Sequence, residues 1–172
     1  MSAESTPAAA SQEPATAADA IAVLISEGLT IGVAESLTGG LLAAELISVP
    51  GASAAVRGGI VAYATPLKHS LLDVDAGLLA LHGAVHPDVA LQMADGVRRA
   101  VAVDGLAADV GIATTGVAGP DQQDGREVGT VYVGIVSKAG GRVLSLQLDG
   151  DRDRIRRDTV AAAIAALVDE LG

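Results

Sequence analysis

Helix-like and strand-like patterns alternate from Thr16 to Thr115, a paired-strand pattern follows, and a last helical stretch closes the chain. This order constrains the fold more than any other feature, because such elements bury their apolar faces best as one sheet with helices on both sides. A helix begins at Thr16, carries Ile21, Leu24 and Ile25 on one face and stops at Gly28. The run 29–34 reads as a short buried strand, 40–48 as a helix ended by Pro50-Gly51, and 57–63 as a strand weakened by its glycines. Short helical pieces follow over 67–72 and 76–81, then a longer helix over 87–103 with Pro87 in its first turn. Residues 109–115 form a strand and 116–128 a loop. Segments 129–137 and 142–149 form a hairpin through Lys138-Ala-Gly-Gly, and a final helix covers 152–171. The expectation is a single-domain α/β fold, a three-layer α/β/α sandwich with a mixed β-sheet. It occupies residues 16–172. Residues 1–15, rich in Ala, Ser, Pro and Glu, read as a flexible N-terminal tail without the basic and apolar regions of a secretory signal.

Composition says what fills such a sandwich. Half of the 172 residues are hydrophobic, yet there are two Tyr and no Phe, Trp or Cys. The core must be built from Ala, Val, Leu and Ile, which favours close packing of small-faced elements. A chain of this length buries roughly 70% of its unfolded surface, enough for a core without metal or disulfide support. The absence of cysteine excludes a disulfide framework, a thiolate zinc site, an iron–sulfur cluster and a cysteine nucleophile, and is compatible with the cytoplasm. A net charge of −10 and the near-absence of aromatic stacking groups argue against a nucleic-acid partner. No uncharged stretch approaches the roughly 18 residues that cross a membrane.

Four segments hold groups capable of chemistry. In Gly32-Val-Ala-Glu-Ser-Leu-Thr-Gly-Gly40 a strand leads through a small-residue turn straight into a helix. Ser36 therefore stands where a nucleophile or phosphate ligand would stand, or else Ser36 or Thr38 caps the helix. In Gly58–Lys68, a strand-end tyrosine, Tyr63, is followed five residues later by Lys68, one of only two lysines. Lysine loses its proton when its pKa is depressed and is one known base for a serine nucleophile, although both residues also suit surface or packing roles. The strand ending in Thr114-Thr115-Gly116 offers hydroxyls and loop N–H groups where open α/β sheets bind ligands, or simply a Gly/Pro turn. The polar stretch 121–127 suits a solvated loop better than a lid. In Gly150–Arg157, four arginines flank a helix start as a solvated face, from which Arg152 could turn inward to clamp a phosphate. His82 and His86 are four apart, but Gly83 and Pro87 interrupt a helix there, which argues against a metal site.

The stretches VAESLTGG (33–40), SVPGASAAVRGGIVAYATPLKHSLLDV (48–74), HGAVHPDVALQMADGVR (82–98), GIATTGVAGP (111–120), VGTVYVGIV (128–136) and GDRDRIRRDTV (150–160), in this order, resemble the CinA C-terminal domain family. Stand-alone members of that family are nicotinamide-nucleotide amidases. The resemblance covers everything after the N-terminal tail, and the larger N-terminal domain of full CinA proteins has no counterpart in it. It implies Ser36 as nucleophile, with Tyr63 and Lys68 activating it and relaying protons. It implies Thr38, Gly39, Gly40, Thr114, Thr115 and Gly116 as substrate-binding residues, to which Glu35 of the same turn and Arg152 of the arginine cluster are added, with no metal and no cofactor. Many relatives carry Cys where this chain has Leu37, so the thiol stands outside the implied mechanism.

The implied reaction is hydrolysis of the carboxamide of nicotinamide mononucleotide to nicotinic acid mononucleotide and ammonia by a cytoplasmic homo-oligomer. The oxyanion would be held by N–H groups at the start of the Gly39–Gly40 helix. Lys68 must be neutral to serve as base, so its pKa is expected to be depressed by burial or by a neighbouring cation. Two alternatives stand beside this reading: a non-catalytic nucleotide-binding or interaction module, and an amidase for another small amide.

Overall fold

A computed structural model describes residues 14–172. All but the last two residues of the tail read over 1–15 lie outside the described residues. The chain runs through α1 (Ala17–Ser26), β1 (Ile31–Glu35), α2 (Leu41–Ile47) and β2 (Val56–Val61), with one 3-10 turn at Ala52–Ala54. It continues through α3 (Thr65–Leu72), α4 (Ala76–His82), α5 (Pro87–Ala100), β3 (Val110–Gly116), β4 (Thr130–Ser137), β5 (Gly140–Gln147) and α6 (Arg152–Leu171). The five strands form one mixed sheet in the order β2-β1-β3-β4-β5. β1 pairs in parallel with β2 and β3, while β3–β4 and β4–β5 are antiparallel.

Alternation along the strands makes the layers. Ile31 and Val33 of β1, Val110 and Ile112 of β3, and Val131, Val133 and Ile135 of β4 share one buried cluster with residues of α1, α2 and α6. The opposite face carries Ala34 and Ala113 under Leu72 of α3, Leu79 of α4 and Met93 and Val97 of α5. The expected α/β/α sandwich is thus formed.

The two faces are built differently. On the α5 side the sheet presents glycine where a side chain would collide with the helix. A Cβ on Gly111 would lie 1.8 Å from the Ala94 carbonyl oxygen, and one on Gly134 would lie 2.3 Å from that of Ala90. The helix backbone rests directly on the strands, the close packing that a core without large aromatics calls for.

Several element limits differ from the sequence expectation for local reasons. The hairpin turn is tighter than expected, because Gly140 and Gly141 pair with Ser137 and Val136 as part of β5. α5 ends at Ala100 and not at Val103, because Val103 turns back to exchange backbone hydrogen bonds with Leu106 across Asp104-Gly105. The predicted start at Thr16 holds: Thr16 and Asp19 form a reciprocal capping box. Among the described residues, no helix is long and apolar enough to cross a membrane.

Gly111→Ala tests the helix-on-glycine contact. Overpacking against backbone that cannot yield is expected to cost about 3 kcal/mol, a fall in thermal midpoint of roughly 6–12 °C for a domain of this size. An unchanged midpoint would show that α5 does not press on β3 there.

Candidate active site

Because β1, β2 and β3 are parallel, their carboxyl ends meet at one edge, where ligands of open α/β sheets sit. β1 delivers Ser36, β2 runs out into Ala62 and Tyr63, and β3 ends in Thr114-Thr115-Gly116. The ladder extends one residue past the strands. The Ser36 N–H donates to the Thr114 carbonyl (3.0 Å) and the Ala62 N–H to the Glu35 carbonyl (2.9 Å). Ser36 is thereby fixed and is 8% exposed.

Lys68 reaches this edge from α3. Pro66 sits in the first turn of that helix, and Lys68 and Leu72, one turn apart, form its buried face. Lys68 is completely buried. Its Nζ lies 3.0 Å from Ser36 Oγ, 2.8 Å from the Ala62 carbonyl and 3.4 Å from the Tyr63 carbonyl. An ammonium donates to all three oxygens. A neutral amine donates to the two carbonyls and keeps its lone pair for the serine hydroxyl, so both protonation states are accommodated. Burial pushes the pKa of Lys68 down from 10.5 to about 8, against an opposing pull from the negative charge of Asp124. The expected depression is present, and burial is its cause.

Asp124 belongs to the polar loop 121–127, which is mostly exposed but tethered. Asp124 Oδ2 accepts the N–H of Ala84 (2.9 Å), and the Ala84 carbonyl accepts Thr115 Oγ1–H (2.7 Å). One residue, Ala84, thus ties the loop to the end of β3 through its two flanking peptides.

Glu35 does something other than the expected contact with substrate. Its carboxylate is buried and accepts three backbone N–H groups, those of Gly40 (3.0 Å), Leu42 (3.0 Å) and Ala43 (2.9 Å). It caps α2 from the preceding strand, so neither Ser36 nor Thr38 acts as the cap. Gly39 and Gly40, at φ 59 and 103, are left-handed and fold the turn back far enough for this reach. The same contacts correct the expected oxyanion site, since the first N–H groups of α2 already have an acceptor. Among the described residues, the N–H groups of Leu37 and Thr38 have none. Thr38 and Thr114 are buried and hydrogen bond each other through their hydroxyls (2.7 Å), so with Thr115 they shape the wall from within.

Tyr63 is 60% exposed, and its hydroxyl accepts Arg152 Nη2–H (3.0 Å); its backbone carbonyl, not its hydroxyl, touches Lys68. Arg152 also donates to the Gly119 carbonyl (2.7 Å). A polar cleft of about 130 Å³ lies between these groups, lined by Ser36, Tyr63, Gly116, Gly119, Gln123 and Arg152. Of the residues expected to bind substrate, Gly116 and Arg152 face this space; Glu35, Thr38, Gly39, Gly40, Thr114 and Thr115 build the turn and wall around it.

Arg156 was not singled out in the sequence, although it follows Arg152 by one helical turn. Its Nε donates to the Leu37 carbonyl (3.0 Å) and its Nη2 to the Thr38 carbonyl (3.1 Å). His82 ends α4 and His86 begins α5, their rings stacked with centroids 4.5 Å apart. The His86 Nδ1 accepts the Asp88 N–H. Among the described residues, no group of three or more His, Asp or Glu side chains converges as metal ligands do.

Residues 14–171 match the CinA C-terminal domain. A CinA-like protein of Frankia casuarinae is 51% identical over 144 residues, 84% of this chain and 32% of that protein. The chain spans about a third of the length of the curated relatives it matches. Among solved structures, a competence-damaged protein (CinA) superfamily protein of Enterobacter cloacae superposes with a TM-score of 0.86 at 27% identity, covering 98% of this chain and 100% of that one. The competence/damage inducible protein CihA of Agrobacterium tumefaciens superposes with a TM-score of 0.81 at 33% identity, covering 89% and 92%.

The Glu35 cap carries a prediction of its own. Glu35→Gln keeps the shape but loses the charge that three N–H groups share, at an expected cost of about 2 kcal/mol. Urea unfolding at neutral pH measures it, and a wild-type midpoint for the variant would contradict the capping role.

Proposed function

The chain belongs to the CinA C-terminal domain family, and we propose that it is an amidase that hydrolyses the carboxamide of nicotinamide mononucleotide to nicotinic acid mononucleotide and ammonia. One observation carries the chemistry: a fully buried lysine amine 3.0 Å from the hydroxyl of a serine at the edge of a polar cleft. The choice of substrate rests on the family resemblance.

In the proposed reaction Ser36 Oγ attacks the amide carbon while its proton passes to Lys68 Nζ, and the carbonyl electron pair moves onto the oxygen. The unengaged N–H groups of Leu37 and Thr38 stabilise that oxyanion. As the tetrahedral centre collapses, the C–N bond breaks and the Lys68 proton leaves with nitrogen as ammonia. Water, deprotonated by the same amine, then attacks the ester carbonyl; the C–Oγ bond breaks, Lys68 returns the proton to Ser36 Oγ, and the acid is released. The geometry favours Lys68 over Tyr63 as the base, because the Tyr63 hydroxyl is engaged by Arg152. Tyr63 and Arg152 instead border the mouth of the cleft, where they orient the nucleotide. With a net charge of −10, long-range attraction of an anionic substrate is unfavourable, so Arg152 holds the phosphate locally. The same reading makes the protein a cytoplasmic homo-oligomer with a small-molecule substrate.

Ammonia release from nicotinamide mononucleotide tests this proposal. Ser36→Ala and Lys68→Met are each expected to lower kcat by at least about 10³-fold. Turnover that survives both substitutions would reject the mechanism, and no turnover by the wild type would favour a binding module.

The pH profile tests the base separately. With the Lys68 pKa at about 8, about a tenth of the molecules hold a neutral amine at pH 7. The rate is therefore expected to rise with pH and level off above about 8. Asp124→Asn removes the charge that opposes deprotonation, so the rising limb moves to lower pH and the rate at pH 7 rises relative to its plateau. A profile that stays in place in this variant would remove Asp124 from the electrostatics of Lys68.

A further inference from the structure

We infer that Arg156 is a positioning residue for the nucleophile turn, holding the peptides after Ser36 so that their N–H groups stay available to an oxyanion. The inference rests on the proposed role of Ser36 as nucleophile. Arg156 comes from α6, 119 positions from Leu37, and its side chain is three-quarters buried. Its planar fork meets two successive carbonyls, Leu37 at 3.0 Å and Thr38 at 3.1 Å, which a lysine at the same place could not hold together. A trans peptide is planar with C=O and N–H opposed, so a Leu37 carbonyl fixed toward α6 turns the Thr38 N–H away from it.

Leu37 and Thr38 are both buried, and among the described residues neither N–H has an acceptor. Main-chain donors left without a protein partner in a buried segment are rare, and Leu37 lines the cleft. Here the donors belong to the two residues that follow Ser36, whose hydroxyl Lys68 touches. The Thr38 carbonyl also accepts the Leu41 N–H (3.2 Å), and the Ser36 carbonyl accepts the Gly39 N–H (3.1 Å). Every carbonyl from Ser36 to Thr38 is therefore held, while the donors at Leu37 and Thr38 are not. The Arg156 charge on the Leu37 carbonyl further polarises that peptide and strengthens its N–H as a donor. Glu35 fixes the helical end of the same turn, and Arg156 fixes the nucleophile end.

The test compares wild type, Arg156→Lys and Arg156→Ala in two assays: phosphonylation of Ser36 by a fluorophosphonate probe, read by mass spectrometry, and ammonia release from nicotinamide mononucleotide. Thermal midpoints are measured on the same samples. Attack on either reagent places negative charge on an oxygen beside Ser36, so loss of the clamp is expected to slow both roughly 10²-fold. The loss falls in kcat and not in KM, and the pH of the rising limb stays unchanged because Lys68 is untouched. Arg156→Lys, which retains the charge but not the two-pronged fork, decides the question if Arg156→Ala fails to fold. A folded Arg156→Lys variant that labels and turns over at the wild-type rate would overturn the positioning role alone. Wild-type protein that neither labels at Ser36 nor releases ammonia would overturn the nucleophile assignment and this inference with it.

Discussion

A lysine amine shut away from water against a serine hydroxyl is the contact around which the rest of the molecule is arranged. Removing an ammonium from water is costly unless its donors find acceptors, and Lys68 finds three. Two of these are main-chain carbonyls that have just left the sheet at the end of β2, and the third is the side chain that follows β1. The contact exists only because parallel strands bring those ends together and because Pro66 starts α3 where Lys68 must point inward. Burial then depresses the amine toward neutrality, so one placement sets both the contact with Ser36 and the protonation state that the proposed base requires.

The turn that carries Ser36 is held at both ends by charged groups belonging to the protein. The Glu35 carboxylate takes up the first N–H groups of α2, and the Arg156 guanidinium takes up the carbonyls next to Ser36. A seven-residue helix would otherwise offer its own N-terminus to an anion. With that end closed, the main-chain N–H groups of Leu37 and Thr38 are the donors of this turn left without an acceptor among the described residues. Small residues make this compact arrangement possible, both in the left-handed Gly39-Gly40 pair and on the sheet face where α5 lies on Gly111 and Gly134.

The sandwich was legible in the sequence because its periodicities are local: the alternating strand residues, the Thr16 cap and Pro87 each report on their neighbours. Ser36 and Lys68 were legible for a different reason, since the glycine-rich turn and the rarity of lysine mark them out and the order of motifs resembles a known family. Glu35 was counted among the substrate-binding residues, but β1 is buried along its whole length and its carboxylate turns toward the backbone of α2, a contact that only the folded turn brings about. Tyr63 was legible as a site residue, but where its hydroxyl points depends on Arg152, 89 positions away. Arg156 was hidden by distance of the same kind. Its spacing from Arg152 places both on one face of α6, yet nothing in that spacing says which peptide the second arginine meets.

The central claim is that Lys68 is buried on Ser36 with its amine close to neutrality. The chain contains only two lysines, so protein labelled with carbon-13 at lysine Cε gives two resonances, and the one missing in Lys68→Met identifies the residue. The pH titration of that resonance by NMR measures its protonation directly. A midpoint near 8 is the predicted result, and a midpoint near the ordinary lysine value of about 10.4 would contradict the account.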